Sequence, residues 1–515
     1  MKVLIYNFVQ PDELGKQGGG VAVYQRNLVQ NLSKAGHEVI SMSSGDRYSV
    51  VKREPYLKTE SHSGSSGLVN RVYLYNSPVY APAHYAFYDL DTYCNSKSID
   101  KIPEELKRLF GAIDVFHFQN IEGLTASFFR RVKEAFPESR LVLSAHNYNI
   151  VCPQVNLWFR ETMSCVDYRE GFACVNCIGG LGANPQELNV RRMDTILSYL
   201  GVRRHSRLSG TIEFAARIPF RLKRVLRRWA ARSPTKSASD PVGRGKTLTV
   251  VSPDMASSYK HFRTTNIELC RTVFDHVVAV SARTRDVLVA NGLARDRISV
   301  SYIGTAHHQR FLEARRKLTF GPRLHIAYLG YMRRDKGFFF FMECLQLIPE
   351  HLAANMVVTI AAPYDNDWPV KQLRGIAHKY AGLHLNNGYT HGTIDTILED
   401  VDLGIVPVLW EDNLPQVAIE IVARGIPILA SDKGGASEIA SRPEFIFRSG
   451  SKHDFLRKLE QIASKEIPLS NFWEGEHRVF SMEQHVTDLM QYYRGPPSPV
   501  SGEPVSRSAE LTFEG

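Results

Sequence analysis

Short apolar runs alternate with helix-like segments along this chain, and that alternation constrains the fold more than any other feature. Residues 3–6 form the first run, a loop with Gly18, Gly19 and Gly20 follows, and residues 21–36 have a helical pattern. Short unbroken apolar runs are typical of strands in a buried parallel sheet. Further strand-like runs in the first half lie at residues 37–42, 115–117, 140–144, 248–252 and 276–281. The first half is therefore predicted to be a doubly wound α/β domain.

A second series of strand-like runs begins at residue 324. Its members lie at residues 324–330, 356–361, 383–385, 403–407 and 426–431. A chain of 515 residues is too long for one ordinary domain. Two α/β domains in tandem, joined near residues 303–322, are the simplest interpretation. In such sheets ligands bind beyond the carboxyl ends of the strands, and two facing domains would enclose a cleft there.

Composition excludes several classes of protein. With 43% hydrophobic and 23% charged residues, the chain is typical of a soluble globular protein. It has no apolar run of the roughly 18 residues that a membrane-spanning helix needs. The N-terminus leads directly into the first predicted strand without a cleavage-site pattern, so no secretory signal is expected and a cytoplasmic location is predicted. Seven cysteines, an odd number, argue against a disulfide framework in that compartment.

Residues 410–416, which we call the acidic loop, follow one of the predicted strands. A helix is predicted to begin near Pro415, because proline suits the first helical turn and Asn413 or Asp412 can cap it. The N-terminus of that helix would offer backbone N–H groups to a phosphate. Glu420 lies in the otherwise apolar helix, where a buried carboxylate needs a hydrogen-bond donor. Sugar and ribose hydroxyls are suitable donors, so this segment predicts a site for a phosphate and a sugar.

Seven residues separate Asp412 from Glu420, and a series of small residues follows. The series is Ala423, Gly425, Pro427, Gly434 and Gly435, closed by Glu438. This order resembles the Glu-x7-Glu signature of retaining glycosyltransferase family 4. Other parts of the chain resemble further motifs of that family, namely the N-terminal glycines and residues 114–117, 144–147, 279–281 and 330–337. The resemblance covers nearly the whole chain.

The resemblance implies the GT-B fold, in which two Rossmann-like, doubly wound α/β domains face a central cleft. The predicted first division is an acceptor-side domain at 1–305, which includes a cysteine-rich loop at 152–180 and a basic insertion at 181–245. A nucleotide-sugar-binding domain follows at 306–475. A C-terminal helix at 476–494 is predicted to pack back on the first domain, and a tail occupies 495–515. Because the tail is rich in Pro, Ser and Gly, it is predicted to be disordered.

The resemblance also implies roles for individual residues. His146 would contact the transferred sugar near its reacting carbon, Asp412 would hold that sugar's hydroxyls, and Lys336 would neutralise the diphosphate leaving group. Glu420 would bind the ribose. The full predicted donor-binding set is Arg333, Lys336, Asn413, Leu414, Glu420, Gly434 and Gly435, and the predicted acceptor or phosphate loop is Gly18, Gly19 and Gly20. Family members generally need no bound metal, so the nucleotide sugar is the one small molecule that catalysis is expected to require.

Some positions leave alternatives open. Asp412 stands where the family has glutamate, with Glu411 beside it as a substitute, and Tyr331 stands where the family has arginine. His117 and His146 each fit a core histidine as well as a site residue. The first candidate function is a retaining glycosyltransferase that moves a hexose to a saccharide or lipid-linked saccharide in cell-surface polysaccharide biosynthesis. The second is a catalytically silent sugar-nucleotide-binding or scaffold protein of a polysaccharide assembly complex.

Four cysteines lie within 26 residues and include one closely spaced pair. They are Cys152, Cys165, Cys174 and Cys177. Four thiolates with such a pair can form a closed tetrahedral zinc site, which would make residues 152–180 a metal-stapled flap beside the acceptor cleft. Reduced thiols in an ordinary loop are the alternative interpretation.

The net charge of +10 is concentrated in one segment. Between Arg203 and Arg232 there are nine arginines and one lysine against a single acid, Glu213. Within this segment, residues 217–232 fit an amphipathic basic helix. Such a helix would bind an anionic membrane surface at the inner face of the membrane, or it would pack on its own domain with a solvated charged face. Because no nucleic-acid-binding fold is recognised, nucleic acid is not an expected partner.

Overall fold

The computed structural model describes residues 1–11, 19–64, 67–82, 90–178, 185–199, 253–364 and 367–495. Several predicted features lie outside these described residues, namely Gly18, the strand at 248–252, the basic helix at 217–232 and the tail after residue 495. Of the described helices, none is both long and apolar enough to cross a membrane.

The first domain is built on an eight-stranded sheet, accompanied by a small two-stranded hairpin. In chain order the strands are β1 (Lys2–Tyr6), β2 (Glu38–Ser44), β3 (Tyr56–Gly64), β4 (Gly67–Tyr75), β5 (Val115–Phe118), β6 (Arg140–Ala145), β7 (Trp158–Phe159), β8 (Met163–Ser164), β9 (His276–Ala279) and β10 (Ile298–Val300). The sheet order is β10-β9-β6-β5-β1-β2-β4-β3, and β7 pairs with β8 in the separate hairpin. All neighbours in the large sheet are parallel except β3 and β4.

Both faces of this sheet are buried, which explains why its central strands are unbroken apolar runs. Val3 and Ile5 of β1 belong to one hydrophobic core cluster, whereas Leu4 and Tyr6 belong to another. Successive side chains of a strand point to opposite faces, so each face of β1 is covered by apolar side chains. The helices of this half are α1 (Gly19–Lys34), α2 (Leu90–Asn95), α3 (Ile102–Phe110), α4 (Ala126–Ala135), α5 (Phe172–Ile178), α6 (Pro185–Tyr199), α7 (Pro253–Thr272) and α8 (Ala282–Ala290).

The second domain is built on a six-stranded parallel sheet. After β11 (Gly304–Thr305), its strands are β12 (Leu324–Leu329), β13 (Met356–Ala362), β14 (Gly382–Asn387), β15 (Leu403–Val406), β16 (Ile428–Ser431) and β17 (Ile446–Phe447). Their order is β14-β13-β12-β15-β16-β17. The helices are α9 (His308–Glu313), α10 (Phe338–Leu347), α11 (Glu350–Ala353), α12 (Asp367–Ile376), α13 (Ile394–Leu398), α14 (Gln416–Val422), α15 (Ala436–Ala440) and α16 (Lys452–Ala463). This is the predicted two-domain α/β architecture.

The last described helix returns to the first domain. It is α17 (Met482–Arg494), which follows β18 (Phe480–Ser481), and β18 pairs with β11 beside the junction of the two domains. His485 of α17 shares a hydrogen bond of 2.7 Å with the Tyr24 hydroxyl of α1. The Tyr493 hydroxyl lies 2.6 Å from Nδ1 of His117 at the end of β5. The end of the chain therefore ties the two domains together through buried polar contacts.

Candidate functional site

A cleft of about 530 Å³ lies between the two domains. The first domain contributes Gly20 and Tyr24 of α1 and His146, which follows β6. The second domain contributes the residues that follow the carboxyl ends of its central strands. They include Tyr331, Lys336, Tyr389, His391, Trp410, Asp412, Asn413, Leu414, Gln416 and Glu420. The structure thus brings together side chains that are separated by almost 400 residues in the sequence.

Lys336 and Asp412 form an ion pair in the wall of the cleft. The Nζ of Lys336 donates to Oδ2 of Asp412 at 2.6 Å and lies 5.4 Å from the centre of the Trp410 ring. Burial alone would lower the pKa of Lys336, but the carboxylates of Asp412 and Asp335 outweigh it and raise that pKa. Lys336 is therefore positively charged at neutral pH, with one carboxylate already bound to it.

Glu411 of the acidic loop is occupied by a contact between the domains. Its carboxylate accepts hydrogen bonds from Nη2 and Nε of Arg283 at 2.6 and 2.8 Å, and Arg283 belongs to α8 of the first domain. Lys433 and the backbone N–H of Gly434 bind the same carboxylate at 3.2 and 3.0 Å. Burial would raise the pKa of Glu411, yet these contacts, led by Arg283, hold it below its usual value. Glu411 is thus not free to take the sugar-binding place of Asp412.

Two glycines support the acidic loop from behind. A Cβ on Gly434, whose φ is +63°, would stand 1.9 Å from the backbone oxygen of Asp412. The N–H of Gly435 donates to that oxygen at 2.8 Å, and the N–H of Gly434 donates to Glu411. Neither glycine lines the cleft. In the structure their N–H groups support the acidic loop, and their predicted donor contact stays a prediction.

Asn413 differs from its prediction as a helix cap. Its amide nitrogen donates to Oγ1 of Thr284 at 3.2 Å, and its backbone oxygen accepts from Ser281 Oγ at 2.6 Å. The N-cap residue, which directly precedes α14, is Pro415, and it makes no side-chain capping bond. The buried Oδ1 of Asn413 and the Nε1 of Trp410 have no hydrogen-bond partner among the described residues. Both atoms are buried, and both residues line the cleft.

Glu420 is buried, with 8% of its surface exposed, and lines the cleft from α14. Its Oε2 accepts a hydrogen bond of 3.0 Å from the Tyr389 hydroxyl, and burial raises the pKa of its carboxyl group. Its Oε1 lies 4.0 Å from Nε2 of His307. Burial and the nearby Arg424 lower the pKa of His307 to about 4, so this imidazole is neutral at physiological pH. One carboxylate oxygen of Glu420 is thus held by the protein, and the other has no hydrogen bond among the described contacts.

The first domain closes the cleft with His146. Its Nε2 lies 2.8 Å from Oε1 of Gln119, and its ring is 4.9 Å from the ring of Tyr24. Burial and the nearby His485 lower the pKa of His146 to about 3, so the ring is neutral. In contrast, His117 is fully buried between Ser144 and Tyr493 and does not line the cleft. Of the two alternatives for His117, the structure supports the core histidine.

Gly20, the last of the three N-terminal glycines, contacts the second domain directly. Nε2 of Gln416, at the start of α14, donates to the backbone oxygen of Gly20 at 2.6 Å. A Cβ on Gly20 would lie 3.0 Å from the Gln416 side chain, so glycine permits this approach. Gly19 begins α1, and Gly18 lies outside the described residues.

Arg333 does not reach the cleft. Its guanidinium makes two hydrogen bonds of 2.9 Å to Asp335, and 47% of its side chain is exposed. Tyr331 lines the cleft in the position where the family has arginine. Lys336 is thus the one lysine or arginine among the described residues that line this cleft. The predicted donor contact of Arg333 stays a prediction, and in the structure Asp335 binds its guanidinium.

The four clustered cysteines pack together without forming a metal site. Among the described residues, the groups whose ligand atoms all lie within 4.8 Å of one another include none of these cysteines. The Cys177 thiol donates to Oε1 of Gln154 at 3.3 Å, and Cys152, Cys165 and Cys174 pack against the first domain's core. Burial raises the pKa of Cys152 to about 11, so its thiol is protonated. The contacts fit the alternative of reduced thiols, and the zinc site stays a prediction from the sequence.

Several residues that bind the acidic side chains of the site were not predicted from the sequence. Arg283 and Tyr389 bind the acidic residues Glu411 and Glu420 as described above. Glu438 was noted as part of a motif only, yet its carboxylate accepts N–H bonds from Ala282 and Arg283 at 3.1 and 2.6 Å and a Tyr302 hydroxyl bond at 2.6 Å. An acid that closes a glycine motif was a usable signal for Glu438, whereas nothing local marked Arg283 as its partner.

Comparisons with known proteins agree with this geometry. Residues 323–465 match a family model described as "Glycosyl transferases group 1". Residues 323–465, most of the second domain, are thus similar to that family, which supports the predicted glycosyltransferase activity. No curated protein sequence matches the chain.

Solved structures resemble the chain over nearly its whole length. The HepE protein of Anabaena in complex with UDP has 12% identity and a TM-score of 0.52, with 95% of this chain and 100% of that chain covered. An α,α-trehalose-phosphate synthase (UDP-forming) from Burkholderia xenovorans in complex with glucose-6-phosphate has 12% identity and a TM-score of 0.53, covering 96% and 100%. A glycosyltransferase from Rickettsia africae has 12% identity and a TM-score of 0.50, covering 96% and 97%. At this identity the likeness defines the fold alone, and the predicted GT-B fold is confirmed.

Proposed function

We propose that this protein is a retaining glycosyltransferase that moves a hexose from a UDP-sugar to a saccharide acceptor. One observation carries the proposal. Lys336, Trp410, Asn413 and Glu420 all line the cleft between the domains, and one carboxylate oxygen of Glu420 is not bound by Tyr389. A cleft with a few converging polar groups and a buried carboxylate is typical of a small-molecule site.

The groups of the second domain divide between the two ends of a nucleotide sugar. Glu420 would accept hydrogen bonds from the ribose hydroxyls, because its Oε1 is not occupied by Tyr389. Lys336 would stabilise the negative charge that develops on the diphosphate as the sugar departs. Asp412 binds the Lys336 ammonium group, so a bound diphosphate would share that group with the carboxylate. The predicted phosphate contacts of the Asn413 and Leu414 N–H groups remain predictions.

The transferred sugar would lie between Asp412 and His146. Asp412 would hold its hydroxyls, and His146 would contact it near the reacting carbon as a neutral hydrogen-bonding group, since its pKa is about 3. In this arrangement the leaving phosphate would accept the acceptor's proton on the same face of the sugar, which retains the configuration. The contact between Gln416 and Gly20 would help to exclude water from the reacting atoms.

UDP is the proposed nucleotide because two structurally similar proteins are associated with it. One was solved with UDP, and the other is a UDP-forming synthase. For the acceptor we propose a saccharide or a lipid-linked saccharide of cell-surface polysaccharide synthesis, as the family resemblance implies. Attachment to an anionic membrane surface through residues 217–232 would suit a lipid-linked acceptor, and it remains a prediction from the sequence.

A catalytically silent sugar-nucleotide-binding protein is the second candidate. The observation that favours it is the low cation content of the cleft: Lys336 and Tyr331 line it, whereas Arg333 is paired to Asp335. A silent protein would bind UDP and release no UDP from any UDP-sugar. Measurement of turnover separately from binding therefore distinguishes the two functions.

The experiment combines a thermal-shift screen with a turnover assay. UDP, GDP, ADP and CDP and their sugar conjugates are added to the full chain, and the ligand that raises the unfolding temperature most identifies the nucleotide. UDP release is then followed with a saccharide panel and membrane extract as acceptors. Glu420→Gln is expected to weaken UDP binding about tenfold to a hundredfold, because hydrogen bonds to a charged group contribute about 1.5–3 kcal/mol.

Glu399→Gln is the matched control, since Glu399 is exposed and does not line the cleft. Its UDP affinity and turnover are expected to equal those of the unchanged protein. Equal UDP affinity in Glu420→Gln would refute the site assignment. A stabilising nucleotide other than UDP would refute the proposed donor, and UDP binding without turnover would favour the silent protein.

A further inference from the structure

We propose that His307, His391 and Glu420 form a binding site for a divalent transition-metal ion such as Zn²⁺, and that the bound ion competes with the nucleotide sugar for Glu420. One ligand atom from each residue lies within 4.8 Å of the other two. The His307 and His391 rings are 5.4 Å apart, and Nε2 of His307 is 4.0 Å from Oε1 of Glu420. The three residues come from separate segments. His307 lies at the start of α9, His391 lies in the loop before α13, and Glu420 lies in α14.

The donor set and its spacing suit zinc. Two imidazoles and one carboxylate are a set of three protein ligands that leaves a fourth position open. With metal–ligand distances of about 2.1 Å, two ligand atoms of a tetrahedral site stand roughly 3.4 Å apart. The observed 4.0 Å between His307 and Glu420 therefore needs a closure of about half an ångström, which a small side-chain rotation supplies.

The surroundings orient the carboxylate and leave access to the site. Tyr389 holds Oε2 of Glu420 at 3.0 Å and so directs Oε1 towards His307, as outer-shell hydrogen bonds do for metal ligands. The guanidinium of Arg424, whose charge acts on His307, is bound to Asp395 at 2.6 Å and to the backbone oxygen of Glu420 at 2.7 Å. Asp395 offsets part of that charge. His391 is exposed, which gives an ion a path from solvent.

The location of the site predicts its effect. His391 and Glu420 line the cleft, and the oxygen that would bind the ion is the one that we assign to the ribose. This consequence rests on the proposed function. The ion would therefore act as an inhibitor that removes a donor-binding group, and it would take no part in the transfer reaction.

The first arm of the test measures zinc binding alone. The full chain is freed of metal with EDTA, exchanged into buffer and titrated with Zn²⁺ by calorimetry. One equivalent is expected to bind and to be lost in the double variant His307→Ala/His391→Ala. His453→Ala, an exposed histidine on α16, is the control and should retain it. Unchanged zinc binding in the double variant, or no zinc binding by the unchanged protein, would overturn the site.

Cysteines are the competing ligands, and Co²⁺ distinguishes them. Thiolate ligands give cobalt an intense near-ultraviolet charge-transfer band, whereas imidazole and carboxylate ligands do not. A cobalt spectrum without that band, and retention of the zinc equivalent in Cys174→Ser/Cys177→Ser, is the expected result. Loss of the equivalent in the cysteine variant would assign the ion to the cysteine cluster and overturn the proposal.

The second arm measures UDP affinity with and without zinc. At a free zinc concentration about ten times its own dissociation constant, the Kd for UDP is expected to rise about tenfold, because the two ligands exclude each other. The same zinc should leave the Kd of His391→Ala unchanged, which also corrects for zinc bound by UDP itself. Equal Kd values for the unchanged protein would overturn the competition. Failure to bind UDP in EDTA would instead refute the proposed function, while the calorimetric arm still decides the metal site.

Discussion

Replacement of Arg283 with alanine is expected to destabilise the protein at neutral pH by about 1–2 kcal/mol. Hydrogen bonds to a charged group contribute about 1.5–3 kcal/mol, and Arg283 makes two of them to Glu411, which is 5% exposed. Two features reduce the effect. The Arg283 side chain is 42% exposed, so solvent screens it, and Lys433 with the Gly434 N–H still binds the carboxylate in the variant.

The assay is urea denaturation followed by tryptophan fluorescence, with Trp410 as a reporter inside the acidic loop. A double-mutant cycle with Glu411→Gln isolates the coupling between the two side chains and removes their separate effects. Arg271→Ala is the control, because Arg271 pairs with Glu268 at 2.8 Å on the surface and is 62% exposed. Its loss is expected to change the free energy of unfolding by less than about 0.5 kcal/mol.

The pH dependence gives a second check on the same ion pair. Arg283 helps to hold the pKa of folded Glu411 below that of the unfolded chain, which is about 4.3. The resulting stability is fully present above that unfolded pKa and is lost as the pH falls through the folded pKa. The difference between the unchanged protein and the Arg283→Ala variant should therefore be constant near neutrality and shrink below about pH 4. A difference no larger than that of the control at pH 7, or one that persists unchanged in acid, would refute the reasoning.

Two further predictions concern Gly434, which supports the acidic loop, and the buried histidine His485. Gly434→Ala is expected to lower the free energy of unfolding by about 1–3 kcal/mol and to weaken donor binding, because the new Cβ would stand 1.9 Å from the backbone oxygen of Asp412 at a φ of +63°. Thermal unfolding checks this against Gly375→Ala, since a Cβ on Gly375 would meet open space. Equal unfolding temperatures of the two variants would contradict the prediction. Burial lowers the pKa of His485 to about 3, so below about pH 6.5 the unfolded chain binds a proton that the folded protein does not. As the pH falls below about 6.5, this residue should lower the free energy of unfolding by up to about 1.4 kcal/mol per pH unit. Urea denaturation at pH 7 and pH 5 should therefore show a smaller fall in His485→Gln than in the unchanged protein. Equal falls in the two proteins would exclude His485 as the origin.

Local patterns were sufficient for the fold class, and they marked Glu420, which lines the cleft in the structure. The alternation of apolar runs and helices is a property of neighbouring residues, so it predicted two doubly wound domains. Glu420 was recognisable for the same reason, because a carboxylate inside an apolar helix needs a partner whatever the rest of the fold is. The edge hairpin of β3 and β4 was not predicted, since its polar residues interrupt the apolar run that marks a buried strand.

Only the tertiary structure decided which partner each charged group of the site has. Glu411 and Asp412 are adjacent in sequence, yet one binds Arg283 of the first domain and the other binds Lys336 of the second. Arg333 pairs with Asp335 two residues away and is not among the residues that line the cleft. The strength of such contacts depends on separations of a few tenths of an ångström between groups that lie far apart along the chain. No local pattern encodes those separations, and the packing of the two domains sets them.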